Sequence, residues 1–164
     1  MATDNLSQYD KTSIPDARTM RIGIVVSEWN SQITDNLLKG CVEALSDCNA
    51  SLDNLKIIHV PGSFELASGA QILFHNSNVE AVICLGCVIR GETPHFDFVC
   101  QATANGINQI SLQVGKPTIF GVLTDNNIEQ SIARSGGALG NKGTEAAITA
   151  IKMIALKRQL EDTW

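Results

Sequence analysis

Apolar residues fall along the chain in two rhythms that take turns. Residues 20–27 (M-R-I-G-I-V-V-S) form an apolar run rich in β-branched side chains, which predicts a buried strand. Ile33, Leu37, Leu38, Cys41, Val42 and Leu45 then recur at helical spacing through residues 33–45. A second strand is predicted over residues 55–60, closed by Pro61-Gly62, and helical spacing returns over 64–74. Residues 81–89 (A-V-I-C-L-G-C-V-I) are apolar almost throughout, the pattern of a strand covered on both faces. A long helix over 96–114, a strand over 118–123 and a short helix over 128–133 follow. A glycine-rich loop (S-G-G-A-L-G) then leads to a last helix from about residue 141 to 160.

Strand and helix alternate with no repeat, linker or low-complexity tract, so residues 20–164 read as one α/β domain behind an N-terminal arm, residues 1–19. The predicted architecture is a flavodoxin-like three-layer α/β/α sandwich around a mostly parallel four-stranded sheet. Ligands of such sheets sit beyond the carboxyl ends of the strands, which makes every strand-to-helix junction a candidate site.

Composition sharpens this picture. The chain has 164 residues, enough for one domain with a real core, and 44% of them are hydrophobic. Only 18% are charged, against about 25% in ordinary soluble domains, which suggests that part of the surface is covered by another copy. A net charge of -5 with scattered lysines and arginines argues against nucleic acid. No apolar run is long enough for a membrane span, and the polar start lacks the pattern of a signal peptide, so the expected location is cytoplasmic. The five cysteines read as reduced thiols. Cys84 and Cys87 have the spacing of a redox or zinc pair. No second pair accompanies them, however, and positions three apart on a strand face opposite ways, so they read as small buried hydrophobes, with no metal site.

Three junctions carry unusual residues. Trp29, after the first strand, is either a ring on which a ligand stacks or a partly buried loop aromatic; spacing leaves both open. After the second strand, Ser63 is placed to cap a helix whose first turn holds Glu65. The richest junction is Arg90-Gly91-Glu92-Thr93-Pro94-His95-Phe96-Asp97. Gly91 permits a close backbone approach, Pro94 suits a first helical turn, and the amides of Glu92 and Thr93 are placed to cradle a phosphate. His95 would stand on the rim of that anion site as a proton carrier. His59 and His75 read as structural or surface residues. Farther on, Arg134 is a candidate phosphate fork before a glycine-rich segment that contains no Walker motif.

Taken in order, these segments closely resemble one family. Trp29-Asn30, Pro61-Gly62-Ser63-Phe64-Glu65, the run from Gly86 to Phe96, Phe120-Gly121-Val122-Leu123-Thr124 and Gly140-Asn141-Lys142-Gly143-x-Glu145-Ala146-Ala147 resemble lumazine synthase from about residue 20 to 157. The resemblance implies condensation of 5-amino-6-(D-ribitylamino)uracil with 3,4-dihydroxy-2-butanone 4-phosphate, releasing phosphate and water, with no cofactor. Trp29 would stack on the pyrimidine, while Ser63, Phe64 and Glu65 would hold the ribityl chain. Main-chain groups of Cys87, Val88 and Ile89 would line the pyrimidine edge. Glu92, Thr93 and Arg134 would bind phosphate, and His95 would move protons. Phe120 would come from a neighbouring subunit, and Lys142 and Glu145 would support the loop through an ion pair.

Some positions depart from the family pattern. Trp29 stands where many relatives have Phe, Pro94 replaces a common threonine, and Ala138 stands where lysine is frequent. The resemblance further implies a homopentamer, which in some relatives closes into an icosahedral shell, and riboflavin synthase as a protein partner. The absence of an insertion between Arg134 and Lys142 leans towards the shell. Pro15, which would interrupt an arm strand added to a neighbour's sheet, leans against it. Two rival functions remain at this level: a flavin-binding protein without the chemistry, and a flavodoxin-like carrier module.

Overall fold

The computed structural model describes residues 7–161. Its centre is a sheet of four parallel strands in the order β2-β1-β3-β4: β1 (Ile22–Ser27), β2 (Leu55–Val60), β3 (Ala81–Ile89) and β4 (Thr118–Asp125). Five helices join them: α1 (Ser31–Asp47), α2 (Leu66–Asn76), α3 (His95–Val114), α4 (Ile128–Arg134) and α5 (Lys142–Glu161). The expected three-layer α/β sandwich is the observed one.

The two buried faces of each central strand explain its unbroken apolar run. Ile22, Ile24, Val26, Ile83 and Leu85 face α1 and α5 in one core, which includes Leu37, Cys41 and Ile151. Val25, Val82 and Cys84 face α2 and α3 in the other, with Leu66, Leu73 and Ile107. Cys84 and Cys87 therefore lie on opposite sides of the sheet, as the strand period requires, and both are free thiols. Burial alone pushes the Cys41 thiol up to about 12, so it behaves as a small hydrophobe.

Two local expectations give way to other geometry. Ser63 does not cap a helix: a 3-10 turn over Ser63–Glu65 precedes α2, Gly62 stands at its start, and the Ser63 hydroxyl turns inward. The expected loop before α5 is a small antiparallel hairpin of β5 (Ser135–Gly137) and β6 (Gly140–Asn141), in which Gly136 and Gly140 take φ of 110 and 85. These two glycines supply backbone freedom where a strand pattern would supply β-branched side chains.

The described part of the arm lies back on its own chain. Asp10 caps a 3-10 turn over Lys11–Ser13, and the end of α1 holds the segment: Tyr9 Oη donates to Asp47 Oδ2 at 3.0 Å and Lys11 Nζ to Asp47 Oδ1 at 2.8 Å. Ala17 is fully buried, and its amide donates to the Cys48 carbonyl at 2.9 Å.

Candidate active site

Hydrogen bonds join the loops that leave β1 and β2. The Glu28 amide donates to the Val60 carbonyl at 2.9 Å and the Trp29 amide to the Pro61 carbonyl at 3.2 Å. The stitching brings Trp29, 73% exposed, and Phe64, 60% exposed, to the walls of one cleft of about 440 Å³, which Ser63, Glu65 and His95 also line. Large aromatic faces left open beside a few polar groups are the composition of a ligand site.

The end of β3, whose residues Cys87, Val88 and Ile89 do not line the cleft, owes its chemistry to strand length. β1 pairs with β3 only as far as Val26↔Leu85, whereas β3 pairs with β4 on to Ile89↔Asp125. The last residues of β3 thus have a neighbour on one side only. Strand alternation turns the main-chain groups of Cys87 and Ile89 to the open edge, while Arg90 donates its amide to the Asp125 carbonyl at 2.9 Å on the β4 side. Asn30, which sequence reasoning had not assigned a role, spans the gap: its Nδ2 donates to the Cys87 carbonyl at 3.0 Å from a left-handed backbone with φ of 60. Asn is among the few residues that tolerate this conformation, and that was the available signal. The Cys87 side chain points away, its Sγ donating to Ser131 Oγ at 3.4 Å, so only its backbone faces the open edge.

Two buried hydroxyls, Ser27 Oγ and Ser63 Oγ, lack a hydrogen-bond partner among the described residues. Both sit by the hollow at Gly86. A Cβ there would lie 2.6 Å from Ser63 Oγ, and the strand period puts Ser27 on the same face of the sheet. Glycine at 86 is what lets the 3-10 turn lie flat on β3. The Ser63 carbonyl accepts from Thr103 Oγ1 of α3 at 3.2 Å, which ties the turn to the helix that starts at His95.

Glu92, Thr93, Pro94 and His95 are exposed where α3 begins, and Pro94 already has helical φ of -62. A 20-residue helix concentrates free amides and the positive end of its dipole here. Gly91 has no neighbour within 4 Å of a Cβ position and no left-handed backbone, so the chain's own packing does not require glycine there.

The remaining predicted residues gather elsewhere. Phe120 on the edge strand β4, 37% exposed, shares a depression of about 320 Å³ with Lys142, Glu145 and Thr149. Lys142 Nζ lies 2.8 Å from Glu145 Oε2, and Arg134 Nη2 lies 3.9 Å from Glu145 Oε1. Neither Phe120 nor Arg134 lines the cleft of Trp29 and His95. One chain holds two groups of predicted site residues that it does not bring together. His59 and His75 are exposed on β2 and α2, outside both groups. Among the described residues no cluster of three or more His, Cys, Asp or Glu is placed to hold a metal ion.

Comparison with known proteins shows which family the chain resembles. The family profile described as 6,7-dimethyl-8-ribityllumazine synthase matches residues 19–158. The chain is 56% identical over 161 residues to the 6,7-dimethyl-8-ribityllumazine synthase of Flavobacterium johnsoniae, covering 97% of this chain and 85% of that one. To the proteins of the same name from Phocaeicola vulgatus and Porphyromonas gingivalis it is 49% identical, covering 99% and 96% of this chain and 96% and 98% of theirs. The chain belongs to the lumazine synthase family.

As a lumazine synthase family member it is a transferase-type enzyme of riboflavin biosynthesis. The family match spans both groups of residues, from Trp29 to Glu145, so the cleft and the Arg134 group lie in one family unit. No helix among the described residues is long and apolar enough to cross a membrane.

Proposed function

We propose that the protein condenses 5-amino-6-(D-ribitylamino)uracil with 3,4-dihydroxy-2-butanone 4-phosphate to 6,7-dimethyl-8-ribityllumazine, phosphate and water. The 5-amino group adds to the ketone and water leaves, giving an imine. Loss of the C3 proton expels the C4 phosphate, and tautomerisation leaves a carbonyl at C3. The ribitylamino nitrogen closes on that carbonyl, and a second water is lost.

The observation that carries this reading is the cleft itself. It joins two exposed aromatic rings, a carboxylate and His95 beside the helix start of the 91–94 turn. Trp29 stacks on the pyrimidine, Glu65 and the Ser63–Glu65 turn hold the ribityl hydroxyls, and the open edge of β3 meets the ring's polar edge. The amides of Glu92 and Thr93 receive the phosphate, and His95 accepts and returns protons at C3 and at the departing hydroxyl. The steps are additions between bound partners and eliminations of water and phosphate assisted by proton transfer, so proximity supplies much of the acceleration, about 7–11 kcal/mol, and one histidine serves the proton transfers.

Phe120 and Arg134 enter this site from a neighbouring copy, with Lys142 and Glu145 holding Arg134's surroundings; the separation of the two groups within one chain supports this. The protein then works as a cytoplasmic homopentamer, whose light-scattering mass distinguishes a single ring from a shell of pentamers. Mixing both substrates and following the product's absorbance and fluorescence tests the activity. Folded protein that gives no product would overturn it.

A further inference from the structure

We propose that Arg90 is a positioning residue, a clamp that sets the 91–94 turn and the first turn of α3, and so the geometry in which His95 and the turn amides meet a phosphate. The proposal rests on the reading of the site given above. Arg90 stands where β3 ends, with its amide fixed on β4 through the Asp125 carbonyl. Its side chain then folds back over the turn. Nη2 donates to Asp97 Oδ1 at 2.9 Å, and Nη1 reaches Asp97 Oδ2 at 3.4 Å. Nε donates to Asn126 Oδ1 at 3.2 Å in the loop that follows β4. The guanidinium carbon lies 4.2 Å from the centre of the Phe96 ring, and Phe96 is buried in the protein at 8% exposure.

These contacts close a loop through space from residue 90 to residue 97, with the turn and His95 inside it. The Asp97 amide donates to the Pro94 carbonyl at 2.9 Å, so Asp97 is itself fixed in the helix start. A planar fork that stacks on a ring while it reaches a carboxylate and an amide is guanidinium geometry, and an ammonium on a flexible stem does not reproduce it. The Arg90 and Asp97 side chains are 44% and 59% exposed, so the ion pair adds little to global stability. Its effect is on the shape of the turn. The positive charge is committed to Asp97 and is not offered to a ligand.

The sign of one substitution separates a clamp from a phosphate ligand. Asp97→Asn removes a negative charge near an anion site, and by Coulomb's law alone it would tighten phosphate binding. It also opens the clamp, which weakens binding. We expect Asp97→Asn and Arg90→Ala each to raise the Kd for inorganic phosphate, by calorimetry, and the KM for the phosphate-bearing substrate severalfold, up to about tenfold. The KM for the ribitylaminouracil stays put, and Arg90→Lys fails to restore the loss. Tighter or unchanged phosphate binding in Asp97→Asn, full rescue by Arg90→Lys, or no phosphate binding by the wild-type protein overturns the clamp. Wild-type protein that binds phosphate but gives no product overturns the proposed reaction instead, and the calorimetric comparison still decides the role of Arg90.

Discussion

In the proposed reaction, His95 and Arg134 divide the labour at the level of single residues. In that reaction His95 moves protons that are in flight only in the transition state, so His95→Ala lowers kcat by about 100-fold or more and leaves both KM values near wild type. In the same proposal Arg134 meets a group that is charged in the ground state. Arg134→Ala therefore raises the KM for the phosphate substrate by about tenfold or more, the loss of a charge-assisted contact of about 1.5–3 kcal/mol. Steady-state kinetics with each substrate varied in turn checks both. Ser27 is a different case, because its buried hydroxyl has no partner to lose among the described residues. Ser27→Ala removes an unpaired polar group and leaves the unfolding free energy equal or higher. A loss of more than about 1 kcal/mol in denaturant titration contradicts that assignment. The sequence misplaced Ser63 for a related reason. A serine before a helix reads as a cap, and nothing local announces that Gly86, 23 residues later, opens a hollow for it.

Elements were legible where one physical cause ruled them. β3 needs apolar side chains on both faces, so its run from Ala81 to Ile89 is unbroken and its bounds are those the pattern predicts. The β5–β6 hairpin was invisible, because three glycines carry no periodicity and its pairing spans only a few residues. Packing between helices was equally hidden. α5 starts against α1 so closely that a Cβ on Gly143 would lie 1.9 Å from the Leu37 carbonyl oxygen, a backbone atom that cannot step aside. Gly143→Ala therefore destabilises the fold by about 3 kcal/mol or more, read as a shift in the denaturant midpoint. The far end of α5 is held by charge: Arg158 Nε and Nη2 donate to the two Glu80 oxygens at 2.8 and 2.9 Å, and the Arg21 amide donates to Glu80 at 3.0 Å. Burial raises the Glu80 carboxyl, and these donors outweigh it, so the net shift is downward. A carboxyl lowered by folding stabilises above its unfolded value and loses that contribution as pH falls through its folded one. The stability gap between wild type and Glu80→Gln is accordingly widest near neutral pH and closes below the ordinary carboxylate range. A gap independent of pH contradicts this.

At the scale of the molecule, the proposed assembly would explain both the low charge count and the divided site. Besides Trp29 and Phe64 at the cleft, Phe120 on β4 and Met153, Leu156 and Leu160 on α5 leave large apolar area open on the isolated chain. Surface of that kind marks a face that another molecule covers. Sequence could name both groups of site residues, because each carries its own motif, but only the fold shows that one chain keeps them apart. If each copy supplies the missing half to the next one round the proposed pentamer, the interface is heterologous and its rotation closes into a ring. Two impaired variants then complement each other when the phosphate substrate is held well below its wild-type KM. A site built from the cleft of an Arg134→Ala copy and the Arg134 group of a His95→Ala copy has every wild-type residue. Copies unfolded together and refolded at equal ratio would place about one site in four in that state, because each site draws its halves independently. Their mixture should regain roughly a quarter of the wild-type rate, while either variant refolded alone keeps its own low rate. Activity of the refolded mixture equal to the mean of the two separate variants, with mixed assemblies confirmed by mass, means that each chain completes its own site.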